Sequence, residues 1–315
     1  MPLISLLKTN GPNGLGFAST AEDVTEGLVL KEKKVLITGV NSGLGLETAR
    51  VLSKRGANVI GLARTLAKAE SISPLLNSSY FPLACELSEP ESVFECVATL
   101  KNANIKIDAL ICNAGIMALP KLQQKYGVEL QFLTNHIGHF ILVTGLIDLL
   151  NKYGRVTMVS SVAHKLFSHS DGIQFRNFSG SHGYDPHKAY GHSKLANLLF
   201  ANELAKRWDA TKLTANAIHP GVIRTNLARH YNPVVRHGLR IVGKVLFKTV
   251  EQGAATQCYV SVHPDLNCVS GNYFSDCNPA ETSKHGEDSD MARRLWDVSE
   301  NIVSKLRNGE TWVDK

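Results

Sequence analysis

The sequence predicts a doubly wound α/β fold, a parallel sheet with helices on both faces. Three observations predict it. Short apolar stretches of strand length alternate with amphipathic stretches of helix length along most of the 315 residues. The first apolar stretch, Val35-Leu36-Ile37, runs directly into a glycine-rich turn, Thr38-Gly39-Val40-Asn41-Ser42-Gly43-Leu44-Gly45. No repeat, low-complexity linker or second core interrupts the alternation, so one domain is expected over residues 31–315.

Residues 1–30 are glycine-rich and irregular, and read as an N-terminal arm with a short helix at 20–27. Residues 33–38 form the first strand and 45–55 the first helix. Residues 57–63 make the second strand, 68–76 a helix broken near Pro74, and 80–85 the third strand. An amphipathic helix at 92–101 leads to a fourth strand at 107–112, then a long helix at 127–150 and a fifth strand at 155–160. A helix at 190–208, a strand at 214–219 and an amphipathic helix at 292–306 complete the pattern. Right-handed crossovers make such an alternation doubly wound. Two stretches depart from it: a polar, histidine-rich insertion at 162–188, and a basic, apolar-periodic segment at 226–248.

Bulk properties exclude several classes. Hydrophobic residues are 43% of the chain and charged residues 20%, as in ordinary globular proteins. The net charge of +6 is spread along the chain, which suits anionic ligands but not nucleic acid. Six cysteines without C-x-x-C spacing read as reduced, mostly buried thiols of a cytoplasmic protein, and give no zinc site. No run of ~18 uninterrupted apolar residues exists, so no membrane span is expected. His136, His139, His164, His169, His182, His187 and His192 lack a completing carboxylate or cysteine set and read as core or loop histidines.

The strand–turn–helix order makes the glycine turn a phosphate cradle. Gly39 permits the tight exit, Gly43 lets backbone approach a pyrophosphate, and Gly45 lets the helix pack on the sheet. The helix N–H groups then face the phosphates. The second strand ends Gly61-Leu62-Ala63-Arg64-Thr65, with no acid for a ribose 2′-hydroxyl and a guanidinium suited to a 2′-phosphate, so NADP(H) is favoured over NAD; Lys68 can assist. Cys85-Glu86-Leu87 closes the third strand where an adenine contact falls, and Asn113-Ala114-Gly115 closes the fourth with small residues. Downstream stand Tyr190 and Lys194, four residues apart and so on one helix face. A neighbouring ammonium is expected to lower the phenol's pKa and fit it for acid/base work near neutrality.

Taken together these residues resemble the short-chain dehydrogenase/reductase superfamily, whose fold is the Rossmann fold. The resemblance spans most of the chain. It is carried by T-G-x-x-x-G-x-G, Asn113-Ala114-Gly115, Asn135-His136-Ile137-Gly138-His139-Phe140, Ser160-Ser161, Tyr190-Gly191-His192-Ser193-Lys194 and His219-Pro220-Gly221. Ser270 to Cys277, Ala292 to Trp296 and the long insertion make it most similar to the branch of retinol dehydrogenases and WW-domain-containing oxidoreductases. Glu86 stands where that family usually has Asp, and Cys112 where a second Asn is common.

The resemblance implies a catalytic set. Ser161 bonds the substrate oxygen, Tyr190 passes the proton, and Lys194 binds the nicotinamide ribose and lowers the Tyr190 pKa. Asn135 holds a bend in the long helix and a water leading from Lys194. Cofactor contacts fall on Gly39, Asn41, Ser42, Gly43, Leu44, Gly45, Arg64, Glu86, Leu87, Asn113, Ala114, Gly115, Tyr190, Lys194, Pro220, Gly221, Val222 and Thr225, with no metal. The expected activity is NADP(H)-dependent hydride transfer to or from a lipophilic alcohol or carbonyl, such as a retinoid, a steroid or an aldehyde. The alternative is an NADPH-binding redox sensor or scaffold with little turnover. The segment at about 226–250 reads as a substrate lid, with weak peripheral membrane contact as the other reading, and the chain as a monomer or homodimer.

Overall fold

The computed structural model describes residues 10–76, 79–223 and 247–314. Its strands are β1 (Lys34–Thr38), β2 (Asn58–Ala63), β3 (Phe81–Ala84), β4 (Ile107–Cys112), β5 (Gln124–Lys125), β6 (Val128–Glu129), β7 (Leu150–Val159), β8 (Leu213–His219), β9 (Tyr273–Ser275) and β10 (Asn278–Pro279). The helices are α1 (Gly43–Lys54), α2 (Leu66–Glu70), α3 (Pro90–Asn102), α4 (Leu130–Phe132), α5 (Gly138–Leu146), α6 (Ala163–Leu166), α7 (Pro186–Arg207), α8 (Val250–Val262) and α9 (Ser289–Arg307).

One eight-stranded sheet runs in the order β10-β9-β8-β7-β4-β1-β2-β3. Every neighbour pair is parallel except β9–β10 at the edge. Because strand side chains alternate, β1 sends Leu36 to one face and Val35 and Ile37 to the other. Leu36 joins a core built with α3, α5, α7 and α9; Val35 and Ile37 join a core built with α1 and α8. Helices therefore cover both faces, and the doubly wound expectation holds. Strand order reverses between β1 and β4, which opens a crevice at their carboxyl ends.

Several boundaries differ from the sequence reading. The helix expected at 127–150 begins only at Leu130, because Tyr126 and Gly127, both at positive φ, close the β5–β6 ribbon. It is then interrupted by a π-helical turn at Leu133–Ile137 between α4 and α5. The run Leu130–Leu149 is long and apolar enough to cross a bilayer, but 78% of its most apolar window is buried inside the protein. The helix expected in the arm is a single 3-10 turn, Asp23–Thr25. Helix α8 was not read from the sequence at all. It is buried nearly all round, so it lacks an amphipathic stripe, although its Thr249/Gln252 capping box is a local signal. The β9–β10 hairpin is likewise an element the alternation did not suggest. Of the six cysteines, five are buried and Cys268 is exposed.

Helix α5 passes very close to the chain after β3. A Cβ added at Gly138 would lie 2.4 Å from the Leu87 carbonyl oxygen. Alanine is the better helix former by about 1 kcal/mol, but a clash with fixed backbone costs more. Gly138→Ala is expected to destabilise the fold by about 1–3 kcal/mol in denaturant unfolding; a stabilised variant would show that α5 and the Leu87 loop separate easily.

Candidate active site

The crevice begins at the end of β1. The Thr38 hydroxyl accepts the N–H groups of Asn113 and Ala114, each at 2.9 Å, and Asn113 Nδ2 donates to the Thr38 carbonyl at 2.9 Å. His139 settles the direction of the Thr38 proton. Its Nδ1 donates to the Asn135 carbonyl (2.8 Å), leaving Nε2 to accept from Thr38 Oγ1 (2.9 Å). Burial holds this imidazole neutral, with its pKa down at about 4. The ends of β1 and β4 are thus pinned together beneath the glycine turn.

The turn itself has the shape of a cradle. Gly39 and Gly43 are at φ +74° and +56°. A Cβ on Gly45 would sit 2.2 Å from the Gly39 carbonyl oxygen and 2.6 Å from Asn113 Nδ2. Helix α1 starts without a side-chain cap and without an acid in its first turn, which leaves its leading N–H groups for an anion. A cleft of about 470 Å³ opens here. Gly39, Asn41, Ser42 and Leu44 line it on one side, and Arg64, Glu86, Leu87, Asn113, Ala114 and Gly115 on the others. The volume and the glycine clearances fit a dinucleotide. Arg64 is exposed at the rim and makes no hydrogen bond or ion pair among the described residues. Glu86 is turned to the Ser88 N–H and hydroxyl.

A second lobe of about 330 Å³ shares Leu44, Asn113, Gly115 and Ile116 with the first. Its walls are mainly apolar, with Met117, Val162, Leu166, Phe167, Val222 and Ile223. Ser161, Tyr190, Lys194, Pro220 and Gly221 line the same lobe. Tyr190 and Lys194 lie on α7, whose N-terminus is set by Pro186 and by Asp185 capping His187 and Lys188 N–H. Gly191 between them lets α7 pack on α6: a Cβ there would meet the Phe167 and Ala163 carbonyl oxygens at 2.7 and 2.8 Å. The Lys194 ammonium lies 5.6 Å from the Tyr190 ring centre and donates to the Val159 carbonyl at 2.9 Å. Gly115 leaves room for the neighbouring Asn135 amide, since a Cβ there would be 3.1 Å from Asn135 Oδ1, and it lies at ordinary contact distance from Lys194 Nζ.

Asn135 lies in the π-helical turn and ties the lobes together. Its Oδ1 accepts the Ile116 N–H (2.8 Å), and its Nδ2 donates to the Ile116 carbonyl and to Ser193 Oγ, both at 2.9 Å. Ser193 in turn donates to the Tyr190 carbonyl at 2.8 Å. The long helix bends where Asn135 lies, in the π-helical turn Leu133–Ile137.

The electrostatics differ from the sequence expectation. Burial pushes the Tyr190 phenol up to about 12; the group opposing that rise is the Ser161 hydroxyl, which hydrogen-bonds the phenol, and not Lys194. Burial also lowers the Lys194 ammonium to about 8. An ammonium that is itself desolvated and bonded to a backbone carbonyl does not reach the phenol oxygen strongly enough to lower it.

The structure thus gathers Ser161, Tyr190, Lys194 and Asn135 around one cleft with the glycine turn, Arg64, Glu86, Leu87, the Asn113–Gly115 strand end and Pro220–Val222. Thr225 and most of the segment at 226–250 lie outside the described residues. Ile116, Met117 and Ile223 also shape the site and were missed, and Thr38 was quoted in the glycine motif without a role. A Thr at the end of a strand that runs into a glycine turn is a weak cue, and the apolar liners carry no cue outside the fold.

A family model for short chain dehydrogenase matches residues 33–171. The chain is 40% identical over 310 residues to the short-chain dehydrogenase TIC 32 B, chloroplastic, of Brassica napus, covering 94% of this chain and 96% of the relative. It is 37% identical to human retinol dehydrogenase 14 (87% of each chain) and 34% identical to the human WW domain-containing oxidoreductase (91% of this chain, 72% of the relative). Among solved structures it is similar to an uncharacterized protein from Mycobacterium paratuberculosis, with a TM-score of 0.73 and 32% identity over 89% of this chain and 97% of that one. With this site on this sheet, the chain belongs to the short-chain dehydrogenase/reductase family of oxidoreductases.

Proposed function

We propose that this chain is an NADP(H)-dependent oxidoreductase that moves a hydride between the nicotinamide and a lipophilic alcohol or carbonyl. The observation that carries the reading is the continuity of the site: the apolar lobe holding Ser161, Tyr190 and Lys194 opens directly onto the glycine cradle. Residues 31–315 serve in this reading as one catalytic domain behind an N-terminal arm. Relatives named retinol dehydrogenases support a lipophilic substrate, as does the apolar lining. A solved short chain dehydrogenase from Burkholderia cenocepacia was crystallised with NADP, but at 19% identity it speaks for the fold alone. The NADP preference rests on Arg64. A cytoplasmic setting rests on the free cysteines; the Brassica relative's name puts that protein in the chloroplast, so the family does not fix the compartment.

The bound cofactor supplies the hydride chemistry, and the chain supplies proton handling and position. In reduction, Tyr190 keeps its proton at neutral pH and donates it to the substrate oxygen as negative charge develops there. The Ser161 hydroxyl, which bonds the phenol in the chain alone, turns its single proton to the same substrate oxygen, an oxyanion-stabilising role. Lys194, buried beside Gly115, is positioned for a ribose hydroxyl. Arg64 at the rim would hold a 2′-phosphate, and Asn135 keeps the Ile116 strand end and α7 at a fixed separation.

Tyr190→Phe should lower kcat for carbonyl reduction about 10²- to 10⁴-fold while NADPH binding, read by fluorescence titration, stays near wild type. Unchanged turnover would remove the proton role. Arg64→Ala should weaken NADPH binding about 10- to 100-fold and leave NADH nearly unaffected; equal losses for both cofactors would remove the 2′-phosphate contact. The pH dependence follows from half-buried Tyr190 and buried Lys194. Alcohol oxidation needs the phenolate, whose fraction rises tenfold per pH unit below a raised pKa, so log kcat should climb with a slope near +1 up to about pH 8. There Lys194 loses its proton and the slope should flatten. Reduction uses the protonated phenol and should be level over the same range; matching profiles for both directions would contradict the assignment.

A further inference from the structure

Resting on the oxidoreductase reading, we propose that His164 is a positioning residue that fixes the backbone carrying Ser161 and couples it to the C-terminal loop at Lys284–Glu287. His164 lies on α6, three residues after Ser161, and is fully buried. Its Nδ1 donates to the Ser161 carbonyl at 2.6 Å. Its Nε2 accepts the Ser283 N–H at 3.3 Å. A ring that donates through one nitrogen and accepts at the other is neutral in a single tautomer, so both partners constrain it. The ring also stands nearly edge-on to Tyr273 of β9, at 5.0 Å and 73°. It therefore has little freedom to tilt.

The consequence falls on Ser161. Its carbonyl receives two bonds, from the His164 ring and from the His164 backbone N–H at 3.1 Å. Its Oγ accepts the Ala163 N–H at 3.2 Å, while the intervening Val162 N–H goes to His219 Nδ1 at 3.3 Å. The chain leaving β7 thus turns within one residue between two imidazoles, which aims the serine hydroxyl at the Tyr190 side of the lobe. Ser283 extends the linkage. Its hydroxyl accepts the Gly286 N–H at 3.2 Å, and the Gly286 carbonyl accepts Asn202 Nδ2 of α7 at 2.8 Å. One route therefore runs from the catalytic helix, through the C-terminal loop and His164, back to the proposed catalytic serine.

The test is a double-mutant cycle with His164→Ala, Ser161→Ala and the pair, measuring kcat and KM on a carbonyl that wild type reduces. His164→Ala should lower kcat about 10- to 100-fold with the KM for NADPH within about twofold, because a displaced catalytic group costs turnover and not cofactor affinity. In the Ser161→Ala background the same change should cost less than about threefold, since the effect acts through Ser161. His164→Asn can place an amide N–H where Nδ1 stands and should recover most of the kcat, whereas His164→Gln should not. Multiplicative losses, or rescue by Gln and not Asn, would overturn the proposal. Wild type and Tyr190→Phe give the separate control: equal turnover in those two defeats the oxidoreductase reading. The positioning contact is then read by ¹⁵N NMR of the histidine rings. A neutral Nδ1–H ring at His164 upholds the linkage, and an Nε2–H ring defeats it.

Discussion

Three hydrogen bonds from the buried Asn135 carboxamide set the spacing on which the rest of the site depends. They fasten the chain leaving β4 to the π-helical turn and the turn to Ser193 on α7. The glycine cradle belongs to the β1–β4 side of the crevice, and Tyr190 and Lys194 belong to α7. The Asn135 strut between them adds to the aromatic packing of α7 on the helix that carries this residue, where Phe132 stacks on His192 and His136 meets Phe200. A carboxamide suits the task because it both accepts and donates, and here it satisfies both the N–H and the carbonyl of Ile116 with one side chain. The extra residue of the π-helical turn faces the amide inward, where a regular helix would carry it round the axis.

Much of this was legible in the sequence because it is local. The strand alternation, the glycine turn and the Tyr190/Lys194 spacing are short-range patterns whose meaning follows from strand and helix periodicity. The parallel sheet and its two covered faces followed from them, while the meeting of Ser161 with Tyr190 and Lys194 was implied by the family resemblance. What was not legible depends on tertiary surroundings. Helix α8 is buried on all sides and so presents no stripe. The start of the long helix was misplaced because the β5–β6 ribbon is specified by two positive-φ residues, one of which, Tyr126, gives no conformational signal. Ile223 and Met117 are ordinary apolar residues until the fold brings them to the cleft. The pKa of Tyr190 was misjudged because spacing reveals a charge nearby but not how far both groups are desolvated.

The same burial that orders the site also makes it costly. Holding Lys194 inside, with its pKa lowered from the usual 10.5 to about 8, opposes folding by on the order of 3 kcal/mol at neutral pH. The unfolded chain binds the proton more tightly, so that penalty is full below about pH 8 and relaxes as pH rises toward 10.5. Lys194 sits in a helix otherwise packed by Leu195, Leu198, Leu199 and Phe200, whose burial offsets the cost. A lysine retained at such a position against the general preference for surface exposure is better explained by the ligand it meets than by the stability of the chain.

On the proposed reading, the two shifts have a common logic. Desolvation disfavours the charged form of each group, raising the phenol and lowering the ammonium. At neutral pH the phenol keeps its proton, while Lys194, with a pKa of about 8, is still mostly the ammonium, and Tyr190 is then a proton donor poised for reduction. A bound dinucleotide would bring anionic phosphates to the cradle and α1 and, when oxidised, the positive charge of its ring. Fixed charge of that kind would act on buried Lys194 and half-buried Tyr190 more strongly than it would in water. The chain thus supplies geometry through Asn135, Gly115, Gly191 and the histidine-bound serine, and leaves the electrostatic balance to be set by what binds. Such a division explains why the i, i+4 pair alone does not lower the phenol's pKa: the pair fixes where the proton is held, and the bound charge decides how tightly.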